Sequence, residues 1–198
     1  MKKILITVSL FVAASFAIIL SCKKDNSTTT PTPTSVICDG NGKATYYPLD
    51  SANQWQYEQA YSTLTPTAYV SYHTTYNGKS YAVVVGELSA LNGNKVYLRE
   101  DASTHNTYKY NNSNNTEYLE IPGSPVLNQS WQGCNSRRKV TGLSVSLVTP
   151  ACSYTGLLEI SDTLANVPTK NYYKKGLGLV GTISPSNDGF KLMSATIK

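Results

Sequence analysis

The sequence predicts an all-β domain made of a single strongly curved antiparallel sheet, a half-barrel or barrel-like meander. The alternative is a two-sheet β-sandwich. Three observations carry this expectation. Outside the first 21 residues no window keeps an apolar period of 3.6, so helices should be few. Short runs rich in Tyr, Val, Ile and Thr instead recur close together, with Gly, Asn, Ser or Pro turns between them. All 15 tyrosines lie beyond Cys22, and tyrosine suits strands because its ring packs while its hydroxyl can stay wet.

The elements follow in order. Pro48 and a polar turn lead into Trp55, which should enter a strand and cover one end of the core. Residues 69–76 and 79–85 flank Asn77-Gly78, a pair that supplies the positive φ angles of a type I′ turn, so they form a hairpin. Asn92-Gly93-Asn94 punctuates before a strand at residues 95–100. Residues 107–110 and 117–121 pair across an Asn/Ser loop at residues 111–115. Pro125 to Trp131 then echoes Pro48 to Trp55, a proline, a polar turn and a tryptophan. The echo implies a sheet that starts over halfway along the chain. Strands at residues 139–148, 154–160, 172–183 and 190–197 complete the series.

Ahead of this domain stands a different kind of segment. Lys2-Lys3, an apolar run and Ser21 before Cys22 have the layout of a secretory signal peptide, too short and wrongly flanked for a spanning helix. Ile19-Leu20-Ser21-Cys22 resembles a bacterial lipobox, although Leu20 departs from the small residue commonest there. The resemblance implies cleavage before Cys22 and fatty acyl chains, such as palmitate, on that cysteine. Several chains on one residue anchor firmly where a single chain does not. Residues 23–36 are Ser/Thr/Pro-rich with almost no apolar content, so they read as an extended tether able to span about 40 Å. The expected organisation is therefore a signal peptide at 1–21, lipid anchor and tether at 22–37, and one β domain at 38–198.

Two further stretches extend the resemblance. Tyr46-Tyr47-Pro48-Leu49 followed by Trp55-Gln56-Tyr57, and Tyr172-Tyr173-Lys174-Lys175-Gly176-Leu177-Gly178-Leu179-Val180, resemble motifs of small exported lipoproteins of the Bacteroidetes. Thr149-Pro150-Ala151-Cys152 resembles a turn of the same proteins, with Cys152 in place of a glycine. The resemblance implies a curved antiparallel sheet at the outer membrane, on its periplasmic or cell-surface face, and carries no active site across. In the same phylum, acidic residues after the lipid-bearing cysteine favour surface export. Here Asp25 stands alone after Lys23-Lys24.

Composition bounds the function. The chain has 17 Lys and Arg against 12 Asp and Glu, and the leader takes Lys2 and Lys3 with it, leaving a charge of about +3. Arg137-Arg138-Lys139 is the densest basic run, expected as a solvated face or a guard on a strand edge rather than a nucleic-acid site. With Cys22 lipidated, Cys38, Cys134 and Cys152 remain as candidates for one disulfide and one leftover thiol. A straight strand at 137–148 would span about 40 Å and keep Cys134 from Cys152, an objection that a bend at Gly142 removes. The pairing of Cys38 with either partner stays open.

No catalytic constellation stands out. Gly176 to Gly181 invites a nucleotide-loop reading, but β-formers continue on both sides where a helix would have to open, so a bulge or close strand crossing is expected. His73 and His105 have no ligand-spaced carboxylate or thiol, so no metal site is expected. Glu58, Glu87, Glu117, Glu120 and Glu159 read as solvent-facing strand positions. Asp50-Ser51-Ala52 and Asp162-Thr163-Leu164 resemble O-glycan sequons of the Bacteroidetes, making Ser51 and Thr163 candidate acceptors.

The expectation is a non-enzymatic envelope protein without a cofactor, a binding or structural surface module whose partner is the membrane, through Cys22, and an envelope protein, hydrophobic ligand or glycan. A carrier of a lipid or other hydrophobic molecule in a barrel-like cavity is the first alternative. A glycan-binding surface using tyrosines and tryptophans is the second.

Overall fold

Asn77 and Gly78 take φ angles of 49° and 73°, the left-handed pair that a type I′ turn requires. The expected hairpin closes accordingly between β2 (Thr67–Tyr76) and β3 (Lys79–Gly86). The computed structural model describes residues 38–86, 95–187 and 189–198, all within a compact unit, Thr34–Lys198. The leader, Cys22 and the tether lie outside the described residues, as do Glu87 and the turn expected at residues 92–94.

Among the described residues there are twelve strands and no helix. Besides β2 and β3 they are β1 (Gln54–Gln59), β4 (Lys95–Glu100), β5 (Thr107–Asn111), β6 (Thr116–Ile121), β7 (Ser130–Gln132), β8 (Arg137–Val148), β9 (Ser153–Leu164), β10 (Val167–Lys174), β11 (Gly178–Ile183) and β12 (Gly189–Thr196). All are antiparallel in one sheet, ordered β6-β5-β4-β3-β2-β1-β12-β11-β10-β9-β8-β7. The sandwich alternative is thereby replaced by a single sheet, which curls until its two end strands, β6 and β7, approach each other. The barrel is nearly closed.

The order explains the Pro-Trp echo. Trp55 opens β1 and Trp131 lies in β7, so each tryptophan stands at the head of a six-strand meander. The two meanders join where β1 pairs with β12, Trp55 opposite Ala195. The chain therefore closes the sheet with its first and last strands and leaves the gap in its middle.

Two segments depart from expectation. Residues 172–183 are two strands rather than one. Residues 175–177 make the turn between them, with Gly176 at φ 70°. Tyr172 faces Gly181 and Tyr173 faces Leu179, leaving Val180 as the extra residue of a bulge. β10 begins earlier than expected because Ala165 and Asn166 (φ 49° and 67°) form a two-residue turn without the glycine that marks such turns in sequence. β8 is not straight either. Its register against β9 shifts between Val140 and Gly142, and twice more before Leu147.

The core gathers around Trp55 and Tyr57, both fully buried, with Leu157, Leu177, Val180 and Leu192. Polar atoms of the aromatics are satisfied by backbone: Trp55 Nε1 donates to Leu177 O at 2.6 Å and Tyr57 OH to Leu179 O at 3.1 Å. Both bonds tie β1 to the β10–β11 hairpin across 122 residues of sequence. A smaller cluster of Ile121, Val140, Leu158, Ile160 and Tyr173 packs nearer the gap.

Candidate functional site

Strand alternation sends one set of side chains into the barrel. Val84 lies opposite Val96, and Ala82, Leu98 and Lys109 form a cross-strand row over β3, β4 and β5. These meet side chains from the other meander, among them Tyr173, Leu179 and Phe190, around a cavity of about 460 Å³. The volume is in the range of sites that hold one small molecule. Its walls are mixed. Ala68, Val84, Val96 and Leu98 make the wall of β2 to β4 apolar. The opposite, polar side mixes Asn171, Thr182, Arg138 and Asp162 with Leu179 and Phe190, Phe190 standing in register with Thr182, and Glu120 joins it from β6.

Arg138 is the centre of the polar side. The expected solvated basic run is corrected here, because alternation along β8 leaves Arg137 and Lys139 outside and turns Arg138 inward, 8% exposed. Its Nη2 lies 2.6 Å from Asp162 and 2.9 Å from Glu120, and Nη1 donates to the Glu120 carbonyl at 2.8 Å. Burial works against the guanidinium charge, but Glu120, Tyr173 and Asp162 hold it protonated beyond its ordinary range. Burial pushes the neighbouring Tyr173 hydroxyl well up. Both carboxylates are committed to one cation, an arrangement unlike the separated acid and base of a glycosidase.

The other face of β3 to β6 carries a tyrosine cluster. Val83, Tyr97, Tyr110 and Glu117 form one cross-strand row, and Tyr76 stacks on Tyr110 with ring centroids 4.5 Å apart. Glu117 accepts from Lys79, Tyr81 and Arg99 at 2.7, 2.8 and 2.8 Å. Burial raises its pKa, yet the bonds from Arg99, Lys79 and Tyr81 outweigh that and hold it down to about 2. Glu159, 6% exposed, is bonded by Thr141 and Lys170. Thus Glu117, Glu120 and Glu159 are built into the fold and are not the solvent-facing positions expected, whereas Glu58 is exposed.

The remaining candidates fall at scattered places. Cys38 and Cys152 form a disulfide, with Cα atoms 5.8 Å apart, and Cys134 is free and half-buried. Ser51 is exposed at a turn, its Oγ 3.4 Å from His73 Nδ1. Thr163 is half-buried within β9, opposite Pro168 and Arg137. His105 Nδ1 sits 2.7 Å from Glu100, a pair the sequence spacing did not reveal. Among the described residues no three His, Cys, Asp or Glu side chains converge as a metal site. Trp55 is sealed, but Trp131 is only half-buried and its Nε1 donates to Leu119 O at 2.9 Å. The two echoing tryptophans thus differ in burial, and the second spans the gap between β7 and β6.

No protein-family profile matches the chain, and no curated protein sequence does. Among solved structures, a candidate lipoprotein from Parabacteroides distasonis is 13% identical, over 78% of this chain and 99% of its own, with a TM-score of 0.37. A candidate exported protein with a YmcC-like fold, from Bacteroides fragilis, is 10% identical over 77% and 99%, with a TM-score of 0.36. At these values neither likeness bears on what this chain does.

Proposed function

We propose that the chain is an exported, lipid-anchored protein of the cell envelope whose β domain binds a small ligand inside its barrel and does not transform it. The observation that carries the reading is the cavity of about 460 Å³ between the two meanders, apolar on one side and polar on the other. A fold serving only as a scaffold has no use for an interior unfilled by its own side chains, since close packing is worth more to stability. The charged groups in the wall are spent on one another around Arg138, which suits holding a ligand better than moving protons. The lipobox-like Cys22 and the tether give this domain an anchor at the outer membrane, facing the periplasm or the cell surface.

Native mass spectrometry of the protein purified from its own envelope tests the binding role: repeated preparations should carry a co-purifying small molecule, and an empty barrel in all of them would end the reading. Cys22→Ser should move the protein from the membrane to the soluble fraction. O-glycans at Ser51 and Thr163 belong to the same exported life, and an intact mass equal to the lipid plus the bare chain would remove them.

A further inference from the structure

A second cavity, of about 380 Å³, shares Val96, Lys109, Cys134 and Asn135 with the interior one. Its lining differs in character. It contains Lys95 and Lys109 with Asn111, Asn112 and Asn135, and no carboxylate. Among the described residues neither lysine has an acidic partner within ion-pair distance. Lys95 shares the outer face with Tyr97 and lies over the Tyr72 ring at 5.9 Å, so Lys109, in the inward row with Leu98, is the cation that meets the interior. Glu120, the carboxylate one strand from Lys109, is held by Arg138. The two cavities thus form a cationic, amide-lined vestibule opening on an interior with an apolar wall.

We infer that the ligand is an anionic amphiphile, an acyl chain bearing a carboxylate or phosphate head, bound with its head at Lys109 beside the amides of the vestibule and its tail along Val96, Leu98, Val84 and Phe190. This rests on the interior cavity being the binding site. The orientation follows from charge. The Arg138 cluster has two carboxylates to one guanidinium and so repels a second anion, while Lys109 is an unneutralised cation at the junction of the two spaces. The apolar wall offers a tail what water denies it. A sugar or a neutral lipid makes no use of Lys109, and a free phosphate makes none of the wall.

The test is displacement of a fluorescent polyene fatty acid from the whole chain carrying Cys22→Ser, which needs no detergent. The competitors are laurate, lauroyl-lysophosphatidylglycerol and uncharged monolaurin. Both anions should displace the probe at roughly a tenth of the monolaurin concentration, the scale of one charge-assisted contact. Displacement by only one of them also supports the inference and identifies the head as carboxylate or phosphate. Lys109→Met should weaken the anions five- to tenfold, leave monolaurin unchanged, and be rescued by Lys109→Arg. If monolaurin competes as well as laurate, or Lys109→Met changes nothing, the head-group inference falls. In that case loss of all binding in the cavity-filling Leu98→Trp would leave the interior site standing. If no amphiphile of any charge binds, both readings fall together.

Discussion

Arg138 holds Glu120 across the gap in the sheet by two separate bonds, one to its backbone carbonyl at 2.8 Å and one to its carboxylate at 2.9 Å. β6 and β7 are the end strands and exchange no ladder. Side chains do the joining instead: Arg138 reaches Glu120, and Trp131 Nε1 reaches Leu119 O. An unpaired strand edge invites pairing with another chain, and here two consecutive carbonyls of that edge are already taken.

Arg138→Met should therefore act on stability and on the edge together. It leaves Glu120 and Asp162 facing each other in a poorly solvated place without their cation, at a cost of about 3 kcal/mol. Urea unfolding should show that loss, and amide exchange along β6 should quicken. Arg137→Met, its exposed neighbour on β8, should change stability by less than about 0.5 kcal/mol. Equal effects from the two variants would show that the clasp is not what joins the edges.

Glu117 sets an acid limit. Its folded pKa is held near 2, below the ordinary 4.5, so the bonds from Lys79, Tyr81 and Arg99 favour the ionised form. The stability they confer is fully present above pH 4.5 and is lost as pH falls from there through about 2. Unfolding measured across that window should show wild type losing stability more steeply than Glu117→Gln, which starts lower and has no such carboxylate to protonate. Parallel curves would mean the cluster contributes nothing through charge.

The sheet was legible in the sequence because its turns obey local rules. Asn77-Gly78 has one favoured geometry, and the Pro-Trp corners mark the head of each meander. Turns built without a sequence signature were hidden, as at Ala165-Asn166, where two ordinary residues adopt positive φ because β9 and β10 demand it. The site was hidden for a different reason. Arg138 sits between Arg137 and Lys139, and only the parity of β8 against β9 and β6 tells which of three cations faces inward. Cavity walls come from strands far apart in the chain, and sequence spacing has no access to that.

The disulfide should matter more than its place near the start of the domain suggests. Cys38 and Cys152 enclose a separation of 114 residues, and a crosslink over so long a loop removes chain entropy worth about 5 kcal/mol from the unfolded state. It also ties the segment ahead of β1 to the β8–β9 turn. Cys152→Ser should lower the urea midpoint sharply, and Cys134→Ser, which opens no crosslink, should leave it nearly unchanged. A reductant should reproduce the first effect in wild type and add nothing to the variant.

Gly178 tests how closely the backbone approaches the first tryptophan. Its φ is 109°, and a Cβ there would stand 2.9 Å from Trp55 Nε1 and 3.2 Å from Cε2. That nitrogen is fully engaged, donating to Leu177 O at 2.6 Å from a ring with no exposure. Gly178→Ala must therefore strain the backbone and displace the indole, together about 3 kcal/mol. Gly156 separates the two effects, because it also has positive φ, 65°, but a Cβ there meets nothing within 4 Å. Gly156→Ala should cost only the strain, about 1 kcal/mol. Urea unfolding should rank them in that order, and Gly178→Ala alone should shift the tryptophan emission to the red as the ring leaves its seat. Equal costs with unchanged emission would show that Gly178 serves the turn and not the close contact with Trp55.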